Sequence, residues 1–338
     1  CMANAVSTNL THVHEAVMLF LASNALRYVC HRRNNLSSAH LIERRHVVLS
    51  FIPQEKVLQR ICVRPPYFAL EHLSLEGEGL TAYTKAETPI ALEPSPMSAA
   101  ELGRHAAISG LSLVALLQKN DDRRYYLAQK AECDYFKSDA AFGTTVKFEA
   151  KLLEMDKRTA QVTVVASIEG QAVAQFKINY SILTERTFER LFARYQKPTY
   201  PSPSPYANLL SETYERGEMW AETCVTIPAW ACVGHFDGYP ALPVAMLMSQ
   251  LSYLAGQIMG QPYFVPKGLV EANDLCWADK EVTFRADLIA IEGITARFHC
   301  TASIEGQVVG QMSVWLEPVQ TRTEIAENVR QENRRYRK

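Results

Sequence analysis

Residues 235–243 read HFDGYPALP, and a long apolar run, Val244 to Met259, follows them directly. The glycine and the two prolines stiffen this loop, so its histidine, His235, is held at the entrance of a buried helix. Histidine titrates near neutral pH and can exchange protons with a molecule that lies along such a helix. The stretch therefore predicts a buried central helix and a candidate general base beside it.

The residues before this loop, VTIPAWACVG at 225–234, complete a longer pattern that resembles the signature of the 3-hydroxyacyl-ACP dehydratases of fatty-acid synthesis. In that family, which adopts the hotdog fold, a strand ends in a Gly-His-Phe-x-Gly-x-Pro-x-x-Pro loop that leads into a central helix. The resemblance spans residues 225–259 and implies an α+β fold in which an antiparallel sheet wraps the helix.

An internal repeat extends this interpretation to most of the chain. The string ASIEGQ at 166–171 recurs at 302–307, an offset of 136 (302 minus 166), and AET at 86–88 recurs at 221–223, an offset of 135 (221 minus 86). Both copies of ASIEGQ read as strand, hairpin turn and strand, with Glu-Gly at the turn. Two matches at nearly one offset predict two copies of one folding unit.

Each copy also contains a helix-length apolar segment, residues 99–118 in the first and 244–259 in the second. Both segments are apolar on nearly every side, which is typical of helices that are buried all round. The segments that follow them are rich in β-branched and aromatic residues, as expected for strands. The predicted fold class is therefore α+β, a double hotdog of two tandem repeats.

The predicted organisation has five segments. An N-terminal extension without assigned structure precedes the first hotdog repeat, which carries the acid-bearing helix. A proline-rich linker leads to the second repeat, which carries the His-bearing loop, and a charged tail follows. The boundaries are 1–55, 56–190, 191–207, 208–320 and 321–338.

Composition narrows the function classes. The 338 residues carry a formal net charge of -1, without the basic bias expected of a nucleic-acid binder. The eight cysteines form no CxxC pair, so neither a disulfide framework nor a metal site is expected, and we expect no cofactor. No apolar stretch is long enough to span a membrane. The sequence predicts a cytoplasmic protein.

The resemblance implies a pair of catalytic groups. Family dehydratases use the loop histidine and an acid fourteen residues later, but fourteen residues after His235 this chain has Ser249. The first repeat lacks the histidine loop and carries Glu101 in the first turns of its helix. Because family sites form across the interface between two hotdog units, the resemblance implies one composite catalytic site from His235 and Glu101.

Other residues near the two helix starts have supporting or substrate-binding roles in this hypothesis. His105 lies four residues after Glu101 and on the same helix face, as a buried partner for the acid or as an alternative base. Pro96 has no N–H, so the backbone of Met97 or Ser98 is expected to supply the oxyanion donor. The supporting set is His105, Gly238, Pro243, Val244, Met97, Ser98 and Ser249.

A structural alternative stays open for the acid. Residues 98–101 read SAAE, a capping-box pattern in which the carboxylate satisfies amides at the helix start and has no catalytic role.

The activity implied is dehydration of a 3-hydroxyacyl thioester, carried by acyl carrier protein or CoA, in fatty-acid or polyketide-like synthesis. His235 would remove the C2 proton while Glu101 assists departure of the C3 hydroxyl. Two alternatives remain: a hotdog acyl thioesterase in which Glu101 activates water, and a non-catalytic acyl-binding or scaffold subunit. A homodimer of double hotdogs is a further expectation.

Overall fold

The computed structural model describes residues 50–198 and 213–319. The charged tail, most of the N-terminal extension and the proline-rich part of the predicted linker lie outside the described residues. The first residues of that linker are helical, because a helix at Glu185–Phe192 continues into a 3₁₀ turn at Ala193–Tyr195. None of the described helices is long and apolar enough to cross a membrane.

Thirteen of the described strands form one sheet in which every pairing is antiparallel, and β10 and β12 form a separate ladder. The sheet order is β1-β2-β3-β5-β6-β7-β4-β11-β15-β14-β13-β9-β8. The strands are β1 Ser50–Phe51, β2 Glu71–Glu76, β3 Gly79–Thr84, β4 Arg124–Tyr135, β5 Val146–Met155, β6 Thr159–Ile168, β7 Gln171–Thr184, β8 Glu215–Arg216, β9 Trp220–Thr226, β10 Ala241–Leu242, β11 Tyr263–Ala272, β12 Cys276–Trp277, β13 Glu281–Glu292, β14 Thr295–Ile304 and β15 Gln307–Pro318.

Four α-helices accompany the sheet: α1 Gln54–Leu58, α2 Ala99–Leu117, α3 Glu185–Phe192 and α4 Val244–Met259. The two long helices, α2 and α4, match the predicted apolar segments closely. Most of their residues are buried against the sheet and against each other, as their lack of a polar face requires. Helix α4 ends at Gly260, whose left-handed conformation (φ 64°) suits a residue without a Cβ.

The two predicted hairpins are present. Glu169 and Gly170 turn β6 into β7, and Glu305 and Gly306 turn β14 into β15, with positive φ at all four residues. Such turns match the right-handed twist of the paired strands. Both hairpins also shift register two residues before the turn residues begin, between Ala166 and Ser167 and between Ala302 and Ser303.

The two halves of the sheet join at one ladder, β4 with β11, in which Lys267 pairs with Asp134 and Glu271 with Lys130. From this junction the strand order runs outward as β4-β7-β6-β5-β3 on one side and β11-β15-β14-β13-β9 on the other. Helices α2 and α4 pack against this sheet, so the space between them lies near the junction of the halves.

Two glycines of α2 give a matched test of this packing. A Cβ on Gly110 would lie 2.5 Å from the Tyr180 hydroxyl, which is fixed by donating to the Ala107 carbonyl at 2.8 Å, whereas a Cβ on Gly103 would meet nothing within 4 Å. We expect Gly110→Ala to lower the free energy of unfolding by about 1 to 3 kcal/mol through overpacking. Gly103→Ala should raise it by about 0.5 to 1 kcal/mol through helix propensity. Urea denaturation of both variants checks this, and equal shifts of the same sign would contradict the packing described.

Candidate functional site

The loop that carries His235 is anchored on the first half of the chain. Gly234 adopts φ 79°, and a Cβ at this position would lie 2.4 Å from the Arg64 carbonyl oxygen, so the close approach requires glycine. The Arg64 N–H donates to the Gly234 carbonyl at 2.7 Å. The segment around residue 64 therefore fixes the backbone immediately before the histidine.

Two arginines hold the loop on the other side of His235. The Asp237 carboxylate lies 3.2 Å from Arg64 Nε and 3.4 Å from Arg123 Nη2. The Lys197 N–H donates to the Gly238 carbonyl at 2.9 Å, and Gly238 has a positive φ of 73°. Such half-exposed ion pairs contribute little stability individually, but together they determine where the loop lies. This places the predicted residue Gly238 in the loop architecture, outside the cavities described below.

An aromatic cluster packs against Phe236 of the same loop. Phe236 is buried and packs edge-on against Tyr125 and Phe188, with ring centroids 5.2 and 5.3 Å apart. Tyr125 and Phe188 stack on each other at 3.5 Å. Because aromatic contacts of this kind are both apolar and directional, they keep the neighbouring histidine in one orientation.

His235 has the hydrogen bonding of a neutral base. Its Nδ1 lies 2.9 Å from the Ala241 carbonyl oxygen, which can only accept, so Nδ1 carries the proton and Nε2 is left with a lone pair. Burial lowers the pKa of His235 to about 4, although the bond to Ala241 opposes this effect. The ring stacks on Phe236 and meets Tyr67 edge-on. His235 is therefore uncharged at neutral pH.

His235 lines a largely apolar cavity of about 250 Å³, here called cavity 1, between the two central helices. Strands β4, β7, β11 and β15 contribute to its wall. The helix residues that line it are small or apolar: Ala99, Ala100, Gly103, Ala107, Ile108 and Leu111 from α2, and Val244, Ala245, Met248 and Ser252 from α4. The predicted residue Val244 thus lies in the same cavity as His235.

The N-terminus of α4 opens on cavity 1 without a side-chain cap. Pro243 is the N-cap residue, and its carbonyl accepts from the N–H groups of Met246 and Leu247. The preceding amides, those of Val244 and Ala245, have no acceptor within the helix, and both residues line the cavity. Together with the helix dipole they form a site where negative charge is stabilised.

The Glu101 side chain contacts the segment that follows β3 and does not line cavity 1. Its Oε1 accepts a hydrogen bond from the Glu87 N–H at 2.6 Å and lies 3.7 Å from His105 Nε2. Glu101 is buried but lines neither cavity described here. These contacts do not support the predicted composite site with His235, and they give the carboxylate a structural role at the end of β3. Of the capping-box pattern, one half is present: Ser98 Oγ accepts from the Glu101 N–H at 3.3 Å.

A buried arginine beside Glu101 is a feature that the sequence motifs do not indicate. Arg104 is 2% exposed, forms an ion pair with Glu87 and donates to the Tyr67 and Pro66 carbonyl oxygens. The ligand atoms of Glu87, Glu101 and His105 lie within 4.8 Å of one another, as in a metal site. The guanidinium already supplies a positive charge to this cluster, so these residues do not fit a metal ion well.

His105 is an uncharged member of this cluster. It is fully buried beside Phe148, and burial lowers its pKa to about 4, although Glu101 opposes this effect. It lines neither cavity, so its position matches a buried partner of Glu101 better than a base. The arginine between Glu101 and His105, in a helix that is otherwise mostly apolar, was the signal available in the sequence, because a buried charge needs a partner in the core.

The remaining predicted residues lie at the starts of the helices. Ser249 is buried within α4 and lines neither cavity. Ser98 is the N-cap of α2. Met97 lines a second cavity, here called cavity 2, and its carbonyl accepts from Ser95 Oγ at 2.9 Å. The expectation that Met97 or Ser98 supplies an oxyanion donor is not supported, because the uncapped amides beside His235 belong to α4.

Cavity 2 contains a buried acid that the motif search also missed. Glu93 lines this cavity of about 570 Å³ and is 6% exposed, and its Oε1 accepts from the Ala99 N–H at 2.6 Å. In the sequence, Glu93 stands in a short proline-rich stretch that matches no motif, so nothing there indicates its burial.

Comparison with known proteins gives likeness of fold only. No family model and no curated protein matches the chain. Among solved structures, a putative oleoyl thioesterase from Lactobacillus plantarum is similar at 11% identity and a TM-score of 0.52, covering 72% of this chain and 97% of that one. The 12:0-ACP thioesterase from Umbellularia californica has 9% identity and a TM-score of 0.52, covering 72% and 95%. An acyl-ACP thioesterase from Bacteroides thetaiotaomicron has 11% identity and a TM-score of 0.51, covering 71% and 98%.

These likenesses and the architecture agree on an α+β hotdog fold, in which long helices are wrapped by an antiparallel sheet. The predicted fold class is confirmed at that level. The more specific resemblance to the dehydratases is not confirmed, because the three similar structures named above are thioesterases.

The depressed pKa of His235 predicts a pH dependence of stability. Its pKa is about 4 in the folded chain and about 6.5 when unfolded, so the unfolded state binds the proton first as the pH falls. Stability from this group is complete above pH 6.5 and is lost towards pH 4. Between pH 7 and pH 4.5 we expect His235→Gln to lose about 2 kcal/mol less unfolding free energy than the wild type. Denaturant titrations at the two pH values measure this, and parallel losses would show that His235 is not held neutral.

Proposed function

We propose that this chain hydrolyses acyl thioesters in cavity 1, and that its two halves are tandem hotdog repeats. The observation that carries the activity is the neutral imidazole of His235 beside the uncapped N-terminus of α4 in an apolar cavity. The mirrored strand order on either side of the β4–β11 ladder and the two equivalent hairpins support the tandem arrangement.

The reaction needs one base and one anion site. His235 Nε2 takes a proton from a water molecule as the water oxygen bonds to the thioester carbonyl carbon. The amides of Val244 and Ala245 stabilise the oxyanion that forms. When the carbon–sulfur bond breaks, the sulfur leaves with the proton from His235, and the products are a carboxylic acid and a free thiol.

The cavity is better equipped for hydrolysis than for dehydration. Dehydration also needs an acid that protonates the departing hydroxyl, and the helix residues that line cavity 1 offer no carboxyl group. In the described part of the chain the lining contains one carboxylate, Asp274, which is exposed at the rim and accepts from the Leu275 N–H at 2.7 Å. Hydrolysis requires only the groups that the cavity holds.

The substrate class follows from the lining and from the similar structures. Small and apolar helix residues suit an acyl chain. Thioesterases described as acting on oleoyl and acyl-ACP substrates share the fold. We therefore propose an acyl thioester of carrier protein or CoA as the substrate.

Dehydration of a 3-hydroxyacyl thioester remains the second candidate, because the HFDGYPALP loop and the Nδ1–H bond to Ala241 leave His235 as a base in the same cavity. A non-catalytic acyl-binding role is the third, and an assay that follows two products separates all three.

Removing the base should abolish turnover. We expect His235→Ala to reduce thiol release from decanoyl-CoA by about 10²- to 10⁴-fold, the usual contribution of a general base. Thiol is followed with a colorimetric reagent, and enoyl product from 3-hydroxydecanoyl-CoA is followed by absorbance in parallel.

Two variants control this assay. His299→Ala removes a half-buried histidine of β14 that lines neither cavity, and it should leave turnover unchanged. Glu101→Gln should keep thiol release within about threefold, because the amide oxygen still accepts from the Glu87 N–H. Loss of enoyl formation in both His235→Ala and Glu101→Gln would establish the composite dehydratase instead. If the wild type forms neither free thiol nor enoyl product, the non-catalytic binding subunit is favoured.

The anion site has its own test. Val244→Pro removes one N–H at the first helical position, where proline is tolerated, and Val244→Ala removes the same side-chain bulk but keeps the N–H. We expect kcat of the proline variant to fall about 10²-fold below that of the alanine variant, because one oxyanion donor is missing. Equal rates in the two variants would remove the Val244 amide from the mechanism.

A further inference from the structure

Cavity 2 adjoins cavity 1, with which it shares Ala99, Tyr135 and Val265, but the rest of its lining differs in chemistry. Its wall is formed by the stretch before α2, the first turns of α2, the end of β4 and the start of β11. It is larger than cavity 1, about 570 against about 250 Å³, and contains no histidine. Most of the lining is apolar and includes Met97, Leu102, Val146, Ile168, Phe264 and Val265.

Glu93 places a carboxyl group in this apolar lining. Only one of its oxygens is occupied: Oε1 accepts from the Ala99 N–H, while Oε2 is buried with no hydrogen-bond partner among the described residues. A buried polar atom without a partner is costly and is usually explained by a ligand or an ion.

The protonation of Glu93 indicates what kind of group is missing. Burial raises the pKa of Glu93 to about 7, although the Ala99 N–H opposes this effect, so a large share of the group is neutral at physiological pH. Because Oε1 is already an acceptor, the proton of the neutral acid lies on Oε2. The carboxyl group then offers a hydrogen-bond donor that lacks an acceptor.

We propose that cavity 2 binds a second, uncharged acyl-chain molecule whose carbonyl oxygen accepts a hydrogen bond from Glu93 Oε2. The apolar lining receives the chain, and the single buried donor fixes the carbonyl end. This inference does not depend on hydrolysis in cavity 1.

A carbonyl suits the surroundings better than an ammonium group. The titratable groups that face Glu93 are Glu101 on α2, Tyr135 on β4 and Tyr263 on β11, and the two tyrosines are held neutral because burial raises their pKa values well above 10. A cationic ligand would lie against the positive end of the α2 dipole. Two exposed residues of opposite charge, Lys137 and Asp139, also line the cavity, and Lys137 is paired with Glu317.

Binding without turnover is expected at this cavity. The α2 residues that line this cavity, Ala99 and Leu102, already use their amides, since the Ala99 N–H donates to Glu93 and the Leu102 N–H donates to the Ser98 carbonyl. Neither a free amide of α2 nor a histidine is therefore available to an oxyanion among the described residues of this lining.

The test measures binding of decanamide, an uncharged carbonyl ligand that is not a thioester, by isothermal titration at pH 6.5. Glu93→Met removes the donor at similar size, and Glu93→Gln keeps both an acceptor for the Ala99 N–H and a donor for the ligand. Gly103→Leu fills cavity 1 from a position where a Cβ meets nothing within 4 Å. We expect two equivalents in the wild type and one in Gly103→Leu. In the Gly103→Leu background, Glu93→Met should weaken the affinity of the remaining site for decanamide about tenfold, whereas Glu93→Gln should change that affinity less than threefold.

The pH dependence of decanamide affinity tests the role of Glu93 even if Glu93→Met does not fold. From pH 6 to pH 8.5 the affinity of Gly103→Leu should fall about tenfold as Glu93 loses its proton, while the Glu93→Gln form should stay constant. Three results would overturn the proposal. They are an affinity that does not change with pH in either variant, decanamide binding that is insensitive to Glu93→Met, and tighter binding of decylamine than of decanamide. Glu93-dependent binding without any thiol release would leave this inference standing and reject hydrolysis. If the wild type releases thiol but binds one equivalent of decanamide, and Gly103→Leu loses that binding, hydrolysis stands and this inference is rejected.

Discussion

Helices α2 and α4 are apolar on nearly every side, so the sheet has to cover them completely, and each polar group that enters this core must find a partner inside it. Arg104 shows how strict this requirement is, because its guanidinium takes up a carboxylate and two backbone carbonyls. Breaking such a buried pair leaves an uncompensated charge and costs about 3 to 5 kcal/mol. Polar groups that remain incompletely satisfied in the same core are therefore informative about function.

The two helix starts differ in their polar groups. At α2, Glu93 accepts from the Ala99 N–H and Ser98 accepts from the Glu101 N–H, so side chains satisfy two of the first amides. At α4 a proline stands at the N-cap, and the amides of Val244 and Ala245 open on cavity 1. One fold thus presents an anion site at one helix and a buried carboxyl group at the other. This difference in capping gives the two cavities different chemistry.

Much of the fold could be predicted from the sequence, because it depends on local patterns. The all-round apolar character of residues 99–118 and 244–259 predicted both central helices nearly to the residue, and the Glu-Gly pairs predicted both hairpin turns. His235 could be predicted as a candidate base because its loop chemistry is local as well. Glu93 could not, since its burial is created by strands that are distant in the sequence.

Glu101 and the cavity-lining residues of α2 differ in their position around the helix. The cavity-lining residues of the two helices match at a spacing of 145, as Gly103 with Met248 shows, whereas the hairpins match at 136. The loop before α4, which carries His235, is ten residues longer than its counterpart before α2, and the segment from α4 to the hairpin is nine residues shorter than the one from α2. With helix starts superposed, Ser249 corresponds to Arg104 and Glu101 to Met246. Since successive helical residues turn by about 100°, Glu101 lies across the helix from Gly103 and away from the cavity.

The low pKa of His235 is compatible with its proposed role because the cavity changes when substrate enters. A base with a pKa of about 4 is weak in the empty site, where burial penalises the imidazolium. During attack on a thioester, proton uptake by His235 coincides with formation of an oxyanion at the start of α4. The two charges form together in surroundings of low polarity, where their attraction is strong. The burial that keeps the imidazole neutral at rest therefore also strengthens the attraction between the two charges that form in the transition state.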